Sequence, residues 1–170
     1  DQQNCGSCWA FSASEVLSDK FCIASKGKIN VILSPQDFVS CDGGDRGCGG
    51  GFVNKSWDYL KYTGIVTEAC LPYISGDGFP YLCPFGDEPT LNFCRRKEEK
   101  YRKYKVDSHG RMGSITDAKN QLLNEGPLEA AFNVYDDFMS YKGGIYRQTS
   151  DNFMGGHAVK VVGWGKDNTD

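Results

Sequence analysis

The sequence has little net charge, few histidines and no long apolar segment. Its 170 residues carry a formal net charge of −3, so no excess of positive charge favours nucleic acid or an anionic membrane. No apolar run approaches the roughly 20 residues that a membrane-spanning helix needs. Only two histidines are present, His109 and His157. We therefore expect a globular protein that binds neither nucleic acid nor membranes and has few imidazole groups for catalysis.

Cysteine and glycine, in contrast, are abundant, with eight and 21 residues. Eight cysteines in a chain of this size indicate an oxidising compartment, and we expect a lysosomal, vacuolar or secreted protein. The chain begins without methionine, close to a cysteine-containing loop, and it stops shortly after an apolar strand. We expect it to be a piece of a longer precursor.

The first helix predicted by the sequence places a cysteine at its tip. Apolar residues recur every three or four positions over 8–24, which predicts an amphipathic helix with Ser12, Glu15 and Asp19 on the opposite, polar stripe. Cys8 would lie at the N-terminus of this helix. Free N–H groups and the positive end of the helix dipole favour a thiolate there. A sulfur in this position is suited to nucleophilic chemistry.

The rest of the chain changes from helical to β-rich patterns near residue 105. Capping residues and apolar spacing predict helices over 35–40, 52–62 and 115–124 and strands over 128–134 and 155–165. Six glycines within 41–51 predict a tight loop, and 70–94 is a long irregular stretch with three cysteines. The basic residues of 95–105 are expected to form a solvated surface segment.

Cysteine-based hydrolysis needs a thiolate, an imidazole to carry its proton and a donor for the oxyanion. His109 lies among charged and glycine residues, which is typical of a surface loop. His157 lies between a glycine pair and an apolar strand, where the backbone holds it rigidly. His157 is therefore the better partner for Cys8.

Residues 2–11 resemble the active-site segment of papain-like cysteine peptidases, whose Cys-Gly-Ser-Cys-Trp signature precedes a histidine by about 130–150 residues. His157 lies 149 positions after Cys8. Further stretches are similar to the cathepsin B branch of that family, namely 48–52, 126–129, 134–138, 155–158 and 163–165. The resemblance extends along the whole chain and is weakest from about 70 to 110.

This resemblance implies an α+β, papain-like two-lobe fold, with a helical left lobe over 1–105 and a β-barrel-like right lobe over 106–170 that is incomplete at its C-terminus. It implies a cysteine peptidase in which Cys8 forms a thioester and His157 acts as general base and acid. Gln2 matches the glutamine that joins the Cys8 backbone N–H in the oxyanion hole. The residues that match substrate-binding positions are Gly50, Gly51, Phe52, Val53, Ala131 and Ala158.

Three departures from the family pattern refine this expectation. The asparagine that orients the histidine in the family has no match here, so we expect the 170 residues alone to be weakly active or inactive. Residues 70–94 replace a loop that carries two adjacent histidines in cathepsin B, and they contain none. Asp1 matches the aspartate to which that loop attaches. Endopeptidase activity is therefore favoured over dipeptidyl carboxypeptidase activity. The acidic residue that accepts arginine in the family's pocket would lie beyond Asp170.

The resemblance pairs Cys5 with Cys48 in a disulfide. For the other cysteines we expect Cys41–Cys94 and Cys70–Cys83, with Cys70–Cys94 as an alternative. Cys22 is left over, and its partner in the family lies upstream of Asp1. Each native bridge would contribute about 2–5 kcal/mol to stability.

The expected partners are protein and peptide substrates and, by family resemblance, a propeptide or cystatin-like inhibitors. We expect a monomer without cofactor or metal. Three alternatives remain: a catalytically impaired homologue, a thioredoxin-like thiol–disulfide module using Cys5 and Cys8, and a zinc site using these two cysteines with Cys41 and Cys48. The tryptophan follows the second cysteine, which disfavours the redox module, and the bulky helix after Cys8 disfavours zinc.

Overall fold

The structure is a computed structural model that describes residues 1–86, 93–96 and 98–166. Parts of two segments discussed above, 87–92 of the cysteine-containing stretch and Lys97 of the basic stretch, lie outside these ranges. The described residues form four helices and two strands: α1 (Cys8–Ala24), α2 (Pro35–Cys41), α3 (Val53–Tyr62), α4 (Ile115–Glu125), β1 (Leu128–Tyr135) and β2 (Phe153–Val161). Short 3-10 turns occupy Gly47–Gly49, Ser75–Asp77 and Asp136–Ser140.

The helix predictions are confirmed to within one residue at each end. Serine hydroxyls determine two of the starts. The Ser34 side chain accepts a hydrogen bond from the Asp37 N–H at 3.1 Å, and Ser114 accepts one from Asp117 at 3.0 Å. Such caps satisfy N–H groups that have no partner within the helix.

Helix α1 lies at the centre of the core and is covered on more than one side. Its residues Trp9 and Ala13 pack in one cluster with Phe38 of α2 and Leu60 of α3. The strands β1 and β2 contact α1 as well. Ser12, predicted on the polar stripe, is only 4% exposed because this hairpin covers it. The polar stripe is therefore an interface at Ser12, whereas Glu15 remains exposed.

The two strands form an antiparallel hairpin that carries His157. In its register Ala131 lies opposite Ala158 and Phe132 opposite His157. The strand β2 ends at Val161, opposite Leu128, the first residue of β1. The predicted continuation to residue 165 is wrong because β1 offers no further pairing positions. Residues at directly opposed positions share one face of the sheet, so Ala158 and Ala131 face the same side.

Three disulfides are present, and two expected pairings are wrong. The bonds are Cys5–Cys48, Cys41–Cys83 and Cys70–Cys94. The first is the pair implied by the family resemblance, and the third is the alternative pairing. The expected Cys41–Cys94 and Cys70–Cys83 bonds do not form. Cys8 and Cys22 are free thiols in the structure.

The path of the loop explains why the observed disulfide pairs differ from the expected ones. Cys83 reaches Cys41 because the serine just before Cys41 donates a hydrogen bond to the Pro80 carbonyl at 2.7 Å. Cys94 lies beside Cys70, since the N–H of the residue after Cys94 donates to the Cys70 carbonyl at 3.0 Å. Both contacts depend on the folded loop, and the cysteine spacing does not encode them.

One member of the basic stretch is not a solvated surface residue. The Lys103 ammonium donates to both carboxylate oxygens of Asp37, at 2.6 and 2.8 Å, and only 14% of its side chain is exposed. Asp37 is fully buried and also accepts from the Val66 N–H and the Tyr59 hydroxyl. The surface prediction is wrong for this residue because a buried carboxylate requires a cation.

Candidate active site

An open cleft of about 1800 Å³ runs between the helices and the hairpin. Every residue that the sequence singled out for catalysis or substrate binding lines it: Gln2, Cys8, Gly50, Gly51, Phe52, Val53, Ala131, His157 and Ala158. These residues come from four parts of the chain that are up to 156 positions apart. The fold therefore brings the predicted site residues together on one surface.

The nucleophile candidate lies where α1 meets β2. Cys8 is the first residue of α1, and the backbone N–H of Ala158 donates to its sulfur at 3.5 Å. His157, the preceding residue of β2, packs edge-on against Phe132 with ring centroids 5.8 Å apart. The hydroxyl of Ser7, the N-cap residue, makes no capping hydrogen bond. It therefore does not compete for the N–H groups at the tip of the helix.

The glycine-rich loop forms the cleft wall next to Cys8 and is attached in two ways to the segment that precedes Cys8. The Cys5–Cys48 disulfide links this segment to the glycine-rich loop, and the Gly6 N–H donates to the Cys48 carbonyl at 2.9 Å. A Cβ atom on Gly51 would lie 2.4 Å from the ring of Trp9. Gly50 has a φ of +102°, which residues with a side chain rarely adopt. Both glycines are thus required by backbone geometry and by packing.

Replacing Gly51 by alanine should displace the buried indole of Trp9, the neighbour of Cys8. We expect a loss of roughly 1–3 kcal/mol in unfolding free energy from overpacking. In the full natural protein, the peptide hydrolysis that the family resemblance implies should fall on the order of 100-fold, since an ångström-scale shift of a reacting group has that cost. Gly43→Ala is the matched control, because a Cβ there meets nothing within 4 Å. Equal stability and activity of the two variants would contradict the packing argument.

A largely buried carboxyl group, that of Glu129 in β1, joins the hairpin to helices α1 and α3 beside the cleft. It accepts a hydrogen bond from the indole N–H of Trp57 at 2.6 Å and a short one from the Ser12 hydroxyl. Burial raises the pKa of Glu129 to about 7, although these two donors lower it, and the nearby carboxyl of Asp45 raises it further. The contacts between β1, α1 and α3 therefore include a group that titrates near neutral pH.

Because the pKa of Glu129 is higher in the folded protein than its ordinary value of 4.5, the folded state holds this proton more tightly. Stability from this site should fall as pH rises from about 4.5 through 7. Glu129→Gln keeps the polar contacts without a charge. It should match the unsubstituted protein at pH 4.5 and exceed it by roughly 2–3 kcal/mol at pH 8. Urea unfolding at both pH values measures this difference. The same difference in exposed Glu99→Gln would contradict the assignment.

Sequence reasoning missed several residues around the site. His109 lies in an exposed loop, as expected, yet its Nε2 is 3.0 Å from the Asp58 carboxylate and it lines the same cleft. Glu129 belongs to a stretch quoted for its family resemblance, but no local pattern indicated that it would bond Ser12 and Trp57. These contacts span 117 and 72 positions, which helix or strand periodicity does not register.

The thioredoxin-like redox alternative and the zinc-site alternative both conflict with the structure. A redox module would join Cys5 to Cys8, whereas Cys5 is bonded to Cys48 and Cys8 is free. A zinc site would need several convergent ligands. Across 1–86, 93–96 and 98–166, no group of three or more His, Cys, Asp or Glu residues is arranged to hold a metal ion.

The free cysteine at a helix tip, the histidine that lines the same cleft and the glycine wall fixed by a disulfide are the features expected of a thiol-peptidase site. The chain belongs to the papain family of cysteine proteases, whose family model matches residues 1–170. It is 38% identical to "Cathepsin B-like cysteine proteinase 5" of Caenorhabditis elegans over 99% of this chain and 57% of that protein. It is 42% identical to "Cathepsin B-like protease 1" of Arabidopsis thaliana over 95% of this chain and 44% of that protein.

A solved structure supports the same conclusion for the fold. The chain matches "proCathepsin B S9 from Trypanosoma congolense" with a TM-score of 0.78 and 37% identity, over 99% of this chain and 56% of that one. The α+β, papain-like fold is thereby confirmed. The chain spans about half the length of the relatives it matches. No helix within the described ranges is both long and apolar enough to cross a membrane.

Proposed function

We propose that the protein is a cysteine endopeptidase in which Cys8 is the nucleophile and His157 the general base and acid. The observation that carries this proposal is the contact between α1 and β2. The N–H next to His157 donates to the Cys8 sulfur at 3.5 Å, inside a cleft lined by Gln2. Helix α1 adds the electrostatic support, since its N-terminus favours a thiolate.

In the proposed reaction, His157 takes the thiol proton and the Cys8 thiolate attacks the scissile carbonyl carbon. The Gln2 side-chain amide and the Cys8 backbone N–H stabilise the oxyanion that forms. His157 then donates its proton to the leaving amine, and the C–N bond breaks to give a thioester. Water attacks the thioester while His157 accepts a proton, which releases the acid product and restores the thiol.

The same cleft suits an extended peptide. Gly50 and Gly51 leave the wall beside Cys8 without side chains, so a substrate backbone can approach it closely. We assign Phe52, Val53, Ala131 and Ala158 to the pocket for the second residue before the cut, and these walls favour an apolar side chain. We also propose that the helical and β-rich parts act as two lobes divided near residue 105.

Endopeptidase activity is favoured because the described parts of the cysteine-containing loop do not line the cleft. Over 70–86 and 93–96, none of the residues lines this cleft or the smaller cavity beside Cys8 and His157. The loop instead packs on the N-terminal segment, where the Asn4 N–H donates to the Gly76 carbonyl at 3.1 Å. These segments also contain no histidine to bind a substrate carboxylate.

For partners we propose protein and peptide substrates, with a propeptide and cystatin-like inhibitors occupying the same cleft, and a monomeric enzyme. Three disulfides in a chain of this size are typical of oxidising compartments. A lysosomal, vacuolar or secreted location follows for the protein in which these bonds form.

Active-site labelling tests the proposal in the full natural protein. A peptidyl epoxide that alkylates thiolates should modify Cys8 alone, as mapped by mass spectrometry, and abolish peptide hydrolysis. Cys8→Ala should lose both labelling and turnover. Cys22→Ala, which removes the other cysteine that is unpaired within residues 1–170 and whose family partner lies upstream of Asp1, should keep the labelling of Cys8 and the turnover. Labelling at another residue, or turnover by Cys8→Ala, would disprove the assignment of Cys8 as the nucleophile.

A pair of substrates tests the mode of cleavage. An internally quenched peptide with an amidated C-terminus should be cut as well as its counterpart with a free carboxylate. The cut should fall inside both peptides. A strong preference for the free carboxylate, with release of dipeptides, would contradict the endopeptidase assignment.

A further inference from the structure

Tyr73 lies on the loop that avoids the cleft, yet its hydroxyl contacts both ends of the segment that carries the oxyanion groups. It donates to the backbone carbonyl of Gln2 at 2.9 Å and lies 2.9 Å from the Ser7 hydroxyl. Gln2 and Ser7 flank the loop that leads into Cys8. One phenol therefore bridges the two sides of the proposed oxyanion pocket.

The Tyr73 ring is held in place by its surroundings. It packs edge-on against Phe11 of α1 with centroids 4.8 Å apart. Its backbone N–H donates to the Glu68 carboxylate at 2.8 Å, and the next N–H donates to Gln36 at 2.8 Å. Burial raises the pKa of Tyr73, so the phenol remains protonated and able to donate. The hydroxyl is thus a fixed donor.

The Gln2 side of this bridge needs external support. Gln3 has a φ of +53°, a left-handed conformation that non-glycine residues keep only when neighbours enforce it. The Gln2 carbonyl accepts from the Cys5 N–H as well, at 3.3 Å. The Tyr73 hydroxyl is the second donor to that carbonyl and comes from outside the turn. It therefore helps to fix the direction in which the Gln2 side chain leaves the backbone.

The Ser7 side of the bridge explains an uncapped helix. Serine at an N-cap normally accepts a hydrogen bond from the first helical N–H groups, but Ser7 does not. Because the Tyr73 hydrogen goes to Gln2, the Ser7 hydroxyl can only donate in its contact with the Tyr73 oxygen, and that contact of 2.9 Å is shorter than its 3.4 Å distance to the Cys5 carbonyl. This contact turns the Ser7 oxygen toward Tyr73. A serine cap would accept from the second or third helical N–H, here that of Trp9 or Ala10. Without it, the Trp9 N–H next to that of Cys8 has no side-chain acceptor from the cap residue, which leaves the positive end of the helix unscreened by a Ser7 cap.

We propose that Tyr73 is a positioning residue of the oxyanion pocket, which fixes Gln2 and keeps the Ser7 hydroxyl from capping the helix that begins at Cys8. The inference rests on the proposed function, and it concerns transition-state stabilisation rather than substrate binding. Loss of the hydroxyl should affect kcat and leave KM unchanged.

Tyr73→Phe tests this in the full natural protein, because it removes the hydroxyl and keeps the ring on Phe11. We expect kcat to fall roughly five- to thirty-fold, which corresponds to the loss of one or two hydrogen bonds. A peptide aldehyde, which forms an oxyanion-like adduct on the thiol, should bind more weakly by the same factor. Alkylation of Cys8 by iodoacetamide, which needs no oxyanion donor, should keep its rate. Tyr104→Phe, whose ring packs on Phe21 at the other end of α1, should change none of these.

A double-mutant cycle adds a second test. Ser7→Ala should lower kcat less in the Tyr73→Phe background than alone, because the two hydroxyls act through one contact. Unchanged kcat and aldehyde affinity in Tyr73→Phe would overturn the inference while leaving the proposed function intact. An equal fall in the iodoacetamide rate would also overturn it, since Cys8 itself would then be disturbed. Absence of Cys8 labelling in the unsubstituted protein would contradict the proposed function instead.

Discussion

Replacing His157 by alanine should lower kcat/KM for peptide hydrolysis roughly a thousand- to ten-thousand-fold, at the upper end of what general acid–base catalysis supplies. The residue directly precedes Ala158, whose N–H lies 3.5 Å from the Cys8 sulfur. Without the imidazole, the thiol proton must go to solvent and the amine must leave unprotonated. Steady-state turnover of a fluorogenic peptide by the full natural protein measures the loss.

The second histidine provides the matched control for this prediction. His109 lines the same cleft but pairs with the exposed carboxylate of Asp58 at 3.0 Å. Exposed side-chain pairs of this kind contribute little, so His109→Ala should change kcat/KM by less than about fivefold. A loss in His109→Ala comparable with that in His157→Ala would reverse the assignment. Near-normal turnover by His157→Ala would refute the mechanism.

Replacing Lys103 by methionine should destabilise the protein by about 3–5 kcal/mol, the cost of leaving a buried charge without its partner. Burial raises the pKa of Asp37, and the Lys103 ammonium lowers it by contact and by hydrogen bonding. Without the cation the Asp37 pKa rises further. The deficit should therefore shrink at acid pH, where Asp37 is protonated. Urea unfolding at pH 4 and pH 7 measures both effects.

Two further variants test that explanation. Asp37→Asn in the Lys103→Met background should recover part of the lost stability, since no unpaired charge remains buried. Lys105→Met removes a neighbouring, exposed lysine whose ammonium donates to the Tyr62 carbonyl at 2.7 Å. It should change stability by less than about 0.5 kcal/mol. A similar loss for Lys105→Met and Lys103→Met would exclude the buried pair as the cause.

Local patterns in the sequence were sufficient for the helices and pointed to Cys8 and His157, whereas the other site residues were chosen by family resemblance. The spacing of apolar residues predicted the bounds of α1, and Ser34 and Ser114 predicted two helix starts because capping is a short-range interaction. The positions matched to the family's site all lie on one cleft. The catalytic roles of Cys8, His157 and Gln2 stay predictions until they are tested by substitution.

Pairings across the fold could not be read from the sequence. Ser12 has a polar side chain on a helix, and periodicity does not reveal that Glu129 covers it. Lys103 is one of several basic residues, and only the position of Asp37 distinguishes it. The two wrong disulfide pairings have the same origin. Each partner choice depends on how distant segments pack, and a period of two or 3.6 residues carries no information about that.

The attachment of the glycine wall to the nucleophile loop has a kinetic consequence. The Cys5–Cys48 bond and the hydrogen bond from Gly6 keep Cys8 and the wall at a nearly constant separation. His157, in contrast, reaches the site on the hairpin and has no covalent link to that loop nearby. Small movements of the hairpin relative to α1 should therefore vary the distance over which a proton passes between Cys8 and His157. The bound peptide would meanwhile stay aligned with the sulfur. Fluctuations of this kind would separate acid–base chemistry from substrate alignment in time.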